Sequence, residues 1–137
     1  MIFPFLLTKN RKMYTVKIRN SIMIAHSLPH PFFGPAQNMH GATYVVDVEF
    51  CATQLDAHNV VIDIGKAHEV AKAVLKPLSY QNLDELPMFK GHLTTTEFMA
   101  KYIHDEVKRK VADFFTGTIN VTLGETHDAW ASYRGQV

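Results

Sequence analysis

The 137-residue chain is poor in cysteine, and this limits its covalent cross-links. Cys51 is its single cysteine, so an internal disulfide framework is excluded. So low a thiol content is typical of a reducing compartment, and we expect a cytoplasmic protein. Cys51 itself shares the strand parity of polar residues, and we expect an inert strand residue rather than a nucleophile.

Three further absences exclude whole classes of partner. No apolar run reaches the roughly 20 residues that a membrane-spanning helix needs. The 14 basic and 13 acidic side chains are interspersed along the chain, so neither a nucleic-acid surface nor a basic membrane patch is indicated. Gly34, Gly41 and Gly65 are isolated, so there is no glycine-rich phosphate loop.

Length and composition favour one globular domain. Hydrophobic residues make up 47% of the chain, which is ordinary for a domain with a buried core. Residues 1–12 are expected to be an N-terminal extension, because their apolar stretch has no preceding basic residue and no small-residue cleavage site. Residues 13–137 are expected to form the domain.

The pattern of apolar residues predicts the fold class. Alternation with a period of two predicts four strands, at residues 14–26, 41–54, 119–125 and 129–133. Apolar residues at helical spacing predict a first helix after Asp63, the N-cap, and Pro77 limits its length. A second helix is predicted from Thr94, with Thr94 and Glu97 forming a capping box. The order β-β-α-α-β-β predicts an α+β fold, an antiparallel sheet with both helices on one face.

Two histidines lie at strand ends on the core-facing parity. His26 ends the first strand and His40 begins the second, and imidazole nitrogen is a preferred ligand of zinc. Residue 42 would point the same way as His40, but Ala42 offers no ligand atom. The alternative is that both histidines bond to backbone without a metal.

Downstream carboxylates give further candidates. Glu125 continues the inward parity of its strand, and a buried carboxylate needs donors. A ligand with paired N–H groups would supply them, as would a lysine or arginine. His127 shares that parity and could act as a general base, or it could be a turn residue in solvent. Asp47 and Glu49 are interpreted as a solvated or subunit-facing row.

Short motifs in a fixed order resemble those of the 6-pyruvoyl-tetrahydropterin synthase / 6-carboxytetrahydropterin synthase family. They are Ile24-Ala25-His26, Met39-His40-Gly41, Val61-Ile62-Asp63-Ile64, Thr94-Thr95-Thr96-Glu97, Gly124-Glu125-Thr126 and Ala131-Ser132-Tyr133. The resemblance covers residues 13–134. It implies the tunnelling fold (T-fold) and a homo-oligomer, usually a hexamer of two stacked trimers with active sites between subunits.

The resemblance also implies a chemistry. Members of this family eliminate triphosphate from 7,8-dihydroneopterin triphosphate and rearrange or cleave its side chain. Zinc held by three histidines acidifies the carbons beside the side-chain hydroxyls. A cysteine and an Asp-His pair move protons, and a glutamate anchors the N–H edge of the pterin ring.

The zinc-binding residues that the resemblance implies are only partly present in this chain. His26 and His40 match two of the zinc histidines, but Ala42 stands at the third, so one ligand is not identified. His127, Tyr80 and a residue of another subunit are the candidates for it. Ala36 stands where the cysteine is expected.

The residues that the resemblance assigns to substrate binding are better matched than those it assigns to proton transfer. Glu125 matches the pterin-anchoring glutamate, and Glu97 matches the glutamate of the Pro-Thr-x-Glu motif, in which Thr94 replaces proline. Ser79 and Tyr80 replace the Asp-His pair.

These matches predict a pterin-processing lyase with an altered catalytic set. Tyr80 and His127 are the predicted catalytic residues. Glu125, Glu97 and Thr126 are predicted to bind substrate. The alternatives are a non-catalytic pterin- or purine-binding protein and an oligomeric scaffold.

Overall fold

Two long strands, β1 (Tyr14–His26) and β2 (His40–Ala52), form the antiparallel hairpin on which the domain is built. The computed structural model describes residues 12–137, so the predicted extension lies outside the described residues except for Lys12, and its boundary stays a prediction. The remaining α-helices and strands are α1 (Ile64–Leu75), β3 (Gln81–Asn82), α2 (Thr96–Val111), β4 (Thr118–Thr126) and β5 (Ala129–Gln136). Short 3-10 helices span Pro31–Gln37, Leu83–Glu85 and Pro87–Phe89.

The strands form one five-stranded sheet in the order β3-β1-β2-β4-β5. All neighbours are antiparallel except β3, which pairs parallel with β1 through Ile24 and Ala25. The predicted α+β class and the order of the long elements are confirmed. The four predicted strands pair antiparallel as expected, and the unpredicted β3 makes the sheet mixed. A two-residue strand is too short to produce any periodicity in the sequence.

One face of the sheet and both helices enclose the core. The inward residues of β2 and β4 are almost wholly buried, and α2 adds Met99, Ile103 and Val107 from its apolar side. This confirms that both helices pack on one face. No helix of residues 12–137 is long and apolar enough to cross a membrane.

The two helices start differently from each other. Asp63 caps α1 as predicted, with its Oδ2 accepting a hydrogen bond of 2.8 Å from the Lys66 N–H. The predicted capping box of α2 is wrong. Its N-cap is Thr95, whose Oγ1 accepts from the Phe98 N–H at 3.2 Å, so the helix begins at Thr96. Thr94 and the Glu97 carboxylate therefore do not cap this helix.

On the face away from the helices, Asp47 lies in an ion pair rather than in solvent. Its two oxygens accept from Arg19 Nε at 2.7 Å and Arg19 Nη2 at 2.9 Å. Only 4% of Asp47 is exposed, because neighbouring strands flank it. The interpretation of a solvated row is therefore wrong for Asp47. Glu49 is half-buried and accepts a hydrogen bond from Asn120.

This ion pair predicts an acid-sensitive part of the stability. The hydrogen bonds from Arg19 hold the pKa of Asp47 below its usual range, although burial opposes them. A lowered pKa stabilises the fold above the unfolded value of about 3.9, and the stabilisation is lost as pH falls through the folded value. We expect Asp47→Asn to flatten the decline of unfolding free energy below about pH 4. Urea unfolding at several pH values measures this, and Asp113→Asn on the exposed surface should leave the slope unchanged.

Candidate metal centre

The ends of three neighbouring strands converge on one place. His26 ends β1, His40 begins β2, and these two residues are direct register partners. Their rings lie edge to face with centroids 4.6 Å apart. Glu125 comes from the end of β4, where the pairing with β5 shifts between Gly124 and Thr126. The sheet order, with β2 between β1 and β4, places all three side chains together.

These three side chains form a compact donor set. One ligand atom from each of His26, His40 and Glu125 lies within 4.8 Å of the others. The distance from His26 Nε2 to Glu125 Oε1 is 3.5 Å. Among residues 12–137 this is the only group of three histidine, cysteine or acidic side chains arranged in this way.

Each member of the cluster is held from its far side. His26 Nδ1 lies 3.0 Å from Thr94 Oγ1, and His40 Nδ1 lies 2.8 Å from the carbonyl oxygen of Asn38. Thr96 Oγ1 donates to Glu125 Oε2 at 3.1 Å. Partners of this kind orient metal ligands in proteins, because they fix the imidazole tautomer and the direction of the carboxylate.

His26 fits a metal ligand in its burial and its charge state. The residue is fully buried, and within the described part of the chain its Nε2 has no hydrogen-bond partner. Burial lowers the pKa of His26 and the nearby His40 lowers it further, while Glu125, Asp84 and Thr94 act in the opposite direction. The neutral imidazole is thereby favoured, and this is the form that binds a metal. A buried nitrogen without a partner is costly unless a ligand satisfies it. The residues present therefore fit a metal ion.

Three consecutive threonines at the start of α2 each contact a different partner. Thr95 caps the helix, while the hydroxyls of Thr94 and Thr96 contact His26 and Glu125. Thr94 is buried. The first turn of α2 and the cluster are thus joined by side-chain hydrogen bonds on either side of the cap.

This division predicts separable effects of neighbouring substitutions. We expect Thr94→Val to lower the affinity for zinc about tenfold, because the His26 ring loses a hydrogen bond that orients it. Thr95→Ala should cost about 1 kcal/mol of stability through loss of the cap and leave the zinc affinity unchanged. Zinc competition with a chromophoric chelator and urea unfolding measure the two quantities. Equal zinc affinity in both variants would contradict this assignment.

The predicted catalytic residues do not join the cluster within one chain. Tyr80 is 80% exposed, with a positive φ of 59°, and its N–H donates to the carbonyl of Met23 at the sheet edge. His127 lies exposed in the β4–β5 turn, because the irregular pairing ends the parity that it shares with Glu125. Both roles therefore stay predictions.

The predicted substrate-binding residues are divided between the cluster and the surface. Glu125 is in the cluster. Thr126 is exposed and donates to Asp128 Oδ1 at 2.8 Å. Glu97 is exposed in the first turn of α2, and its carboxylate makes no hydrogen bond among residues 12–137. Their roles as substrate ligands stay predictions.

Sequence reasoning missed the residues that support the cluster. Thr94 and Thr96 were hidden because a threonine before a helix is normally assigned to capping. Tyr44 is fully buried in β2, and its hydroxyl has no hydrogen-bond partner among the described residues. Burial and the nearby Glu125 carboxylate raise the pKa of Tyr44 well above its usual range. The phenol is therefore a neutral donor close to the cluster.

The chain is similar to proteins of one family over nearly its whole length. The profile of the 6-pyruvoyl tetrahydropterin synthase family matches residues 15–136. A Dictyostelium discoideum 6-pyruvoyl tetrahydrobiopterin synthase is 29% identical over 106 residues, which are 76% of each chain. The solved 6-pyruvoyl tetrahydropterin synthase of Caenorhabditis elegans superposes with a TM-score of 0.79 at 26% identity, covering 90% of this chain and 96% of that one. The Plasmodium vivax enzyme shares the fold, with a TM-score of 0.77 at 16% identity over 92% and 99% of the two chains. The family match and the shared fold together show that this chain belongs to the 6-pyruvoyl tetrahydropterin synthase family.

Proposed function

We propose that this protein is a metal-dependent lyase that acts on dihydroneopterin triphosphate or a related pterin. The observation that carries the proposal is the cluster of two histidines and one carboxylate, in a chain that belongs to the 6-pyruvoyl tetrahydropterin synthase family. The single cysteine, Cys51, supports the expected cytoplasmic location.

Zinc is the proposed metal, with His26 and His40 as two of its ligands. Zinc accepts imidazole nitrogen and carboxylate oxygen, and a catalytic site keeps a position open for substrate. When bound, it would supply a Lewis acid that polarises substrate oxygens. The chain's part is to keep His26 neutral and oriented, with burial favouring the uncharged ring and Thr94 holding Nδ1.

The proposed assembly is a homo-oligomer, a hexamer, in which one subunit supplies a proton-transfer residue to the site of its neighbour. Among residues 12–137, β3 covers only Ile24 and Ala25 of β1, and no strand pairs with the outer edge of β5. Such open edges invite pairing with another chain. Tyr80 lies beside the β1 edge, so its exposed phenol would act at the site of a neighbouring subunit. His127 is the second candidate for proton transfer.

Substrate recognition is proposed to involve the acidic and hydroxyl groups that border the cluster. Glu97 begins α2 one residue after Thr96, which contacts the cluster. Thr126 follows Glu125 directly. Both are exposed and accessible to a pterin or to an adjoining subunit.

A non-catalytic pterin- or purine-binding protein is the second candidate. It is favoured by the substituted proton-transfer positions, Ala36 and Ser79, and by the exposure of the Tyr80 side chain on the surface of the chain. In that case the protein would hold a pterin without converting it.

One assay separates these functions. The zinc-loaded oligomer is incubated with dihydroneopterin triphosphate, while triphosphate release and the pterin product are measured. A lyase releases triphosphate, and Tyr80→Phe lowers the turnover number while zinc affinity is unchanged. Pterin binding by calorimetry without any product would support the binding protein and refute the lyase. Absence of both binding and turnover would refute both functions.

A further inference from the structure

We infer that Glu125 is the third metal ligand, in place of the imidazole that position 42 lacks, and is not the anchor of the pterin ring. This inference rests on the proposed metal site. It assigns a role to the carboxylate different from the one that the resemblance implies. The geometry around Glu125 and the chemistry of its two oxygens support it.

The position of Glu125 supplies what Ala42 cannot. Ala42 lies two residues beyond His40, on the same face of β2, and a histidine there would point toward the same place. Glu125 reaches that place from the next strand, since Val45 of β2 pairs with Gly124 of β4. Its Oε1 lies 3.5 Å from the partnerless Nε2 of His26.

His26 Nε2 and Glu125 Oε1 lie 3.5 Å apart and make no hydrogen bond with each other. A metal ion between His26 Nε2 and Glu125 Oε1 would satisfy the buried nitrogen and neutralise the half-buried carboxylate. The Nδ1 atom of His40 contacts the carbonyl oxygen of Asn38, so Nε2 is the atom of this ring that can bind a metal.

The second oxygen of Glu125 accepts a hydrogen bond from α2. Thr96 Oγ1 donates to Oε2 at 3.1 Å, which leaves Oε1 directed at the histidines. Anchoring the paired N–H edge of a ring requires both oxygens of a carboxylate. Metal ligation would take Oε1, so the carboxylate could not offer both oxygens to the ring. Recognition of the ring then falls to other groups.

The inferred set of two imidazoles and one carboxylate has chemical consequences. With a divalent ion it carries one positive charge less than a site of three neutral imidazoles. This donor set is used by zinc hydrolases and also by non-haem iron(II) sites. Zinc is the probe of choice because it has no redox chemistry, and cobalt(II) reports the ligand set through its absorption spectrum.

The test is a ligand exchange measured by zinc affinity. Zinc is titrated against a chromophoric chelator into the full-length wild type, Glu125→Gln, and the double variant Ala42→His with Glu125→Gln. We expect Glu125→Gln to weaken zinc binding by about 30-fold or more, because the amide is a poor ligand. The double variant should recover most of the affinity, since a histidine at position 42 restores the third donor. Glu69→Gln on the exposed side of α1 is the matched control and should bind zinc as the wild type does.

The outcomes separate this inference from the proposed function. Equal zinc affinity in wild type and Glu125→Gln overturns the inference but leaves a metal site on His26 and His40. Pterin affinity of the zinc-free protein is the second readout, and a loss in Glu125→Gln would restore the ring-anchor role and also overturn the inference. Failure of the wild type to bind zinc refutes the proposed metal site and with it the inference. If Glu125→Gln does not fold, crystals of the zinc-loaded wild type decide: an oxygen of Glu125 bonded to the ion supports the inference, and an ion on the two histidines without Glu125 overturns it.

Discussion

Replacing His26 by glutamine will lower zinc affinity by at least about a hundredfold and abolish metal-dependent turnover of any pterin substrate. His26 contributes the most deeply buried donor of the cluster, and its Nε2 has no other partner among the described residues. Glutamine preserves the polar character and most of the volume, so the effect on folding is smaller than that of alanine. Zinc competition with a chelator measures the affinity, and triphosphate release measures the turnover.

The matched control for this substitution is His58→Gln. His58 is exposed in the connection before α1, far along the chain from all three strand ends. We expect it to leave zinc affinity and turnover unchanged. An undiminished zinc affinity in His26→Gln would show that this histidine is a buried structural residue and that the cluster is not a metal site.

Withdrawal of the metal will destabilise the folded protein by several kcal/mol. A ligand that binds only the native state stabilises it by RT ln(1 + [L]/Kd), which is about 4 kcal/mol at a thousandfold excess over Kd. The cluster joins the ends of β1, β2 and β4 with the first turn of α2, so it exists only in the folded chain. Urea unfolding with added zinc and with a strong chelator measures the difference.

This stabilisation depends on the cluster and not on incidental binding to other histidines. In His26→Gln, zinc and chelator should give the same unfolding midpoint within error. A zinc-dependent midpoint that persists in this variant would show that the stabilising ion is held elsewhere. A wild type whose midpoint does not respond to zinc would contradict the prediction directly.

The strands β1, β2 and β4 were predictable because each has one face buried in the core and one face that is more exposed. In β2 the residues on the parity of Tyr44 are buried, and the alternation of apolar and polar types records this directly. The two-residue strand β3 left no such record. Its pairing with Ile24 and Ala25 depends on the loop geometry before it, where Tyr80 adopts a positive φ.

The start of α2 was mispredicted because threonine serves several purposes with one hydroxyl. The sequence Thr94-Thr95-Thr96-Glu97 fits a capping box in the first register, but the helix uses the second register. The competing interaction is tertiary. His26 engages the Thr94 hydroxyl, and Thr96 reaches across to Glu125.

The candidate metal site was predictable in two of its three members. His26 and His40 could be inferred from strand-end positions, but their partner could not, because Glu125 comes from a strand 85 residues further along the chain than His40. The sheet order and the irregular pairing at the end of β4 bring it into place. Parity counting placed His127 on the same face as Glu125. The irregular pairing at the end of β4 and the turn that follows interrupt this parity, which cannot be read from the sequence.

The most direct test of the metal centre is an anomalous-difference map from crystals of the zinc-loaded protein, collected above and below the zinc absorption edge. The account predicts one peak per chain, at about 2.0–2.2 Å from a nitrogen of His26, a nitrogen of His40 and an oxygen of Glu125. A peak bonded to both histidines but not to Glu125 would contradict the assignment of the third ligand. Absence of any peak at these three side chains, in crystals containing zinc, would contradict the metal centre itself.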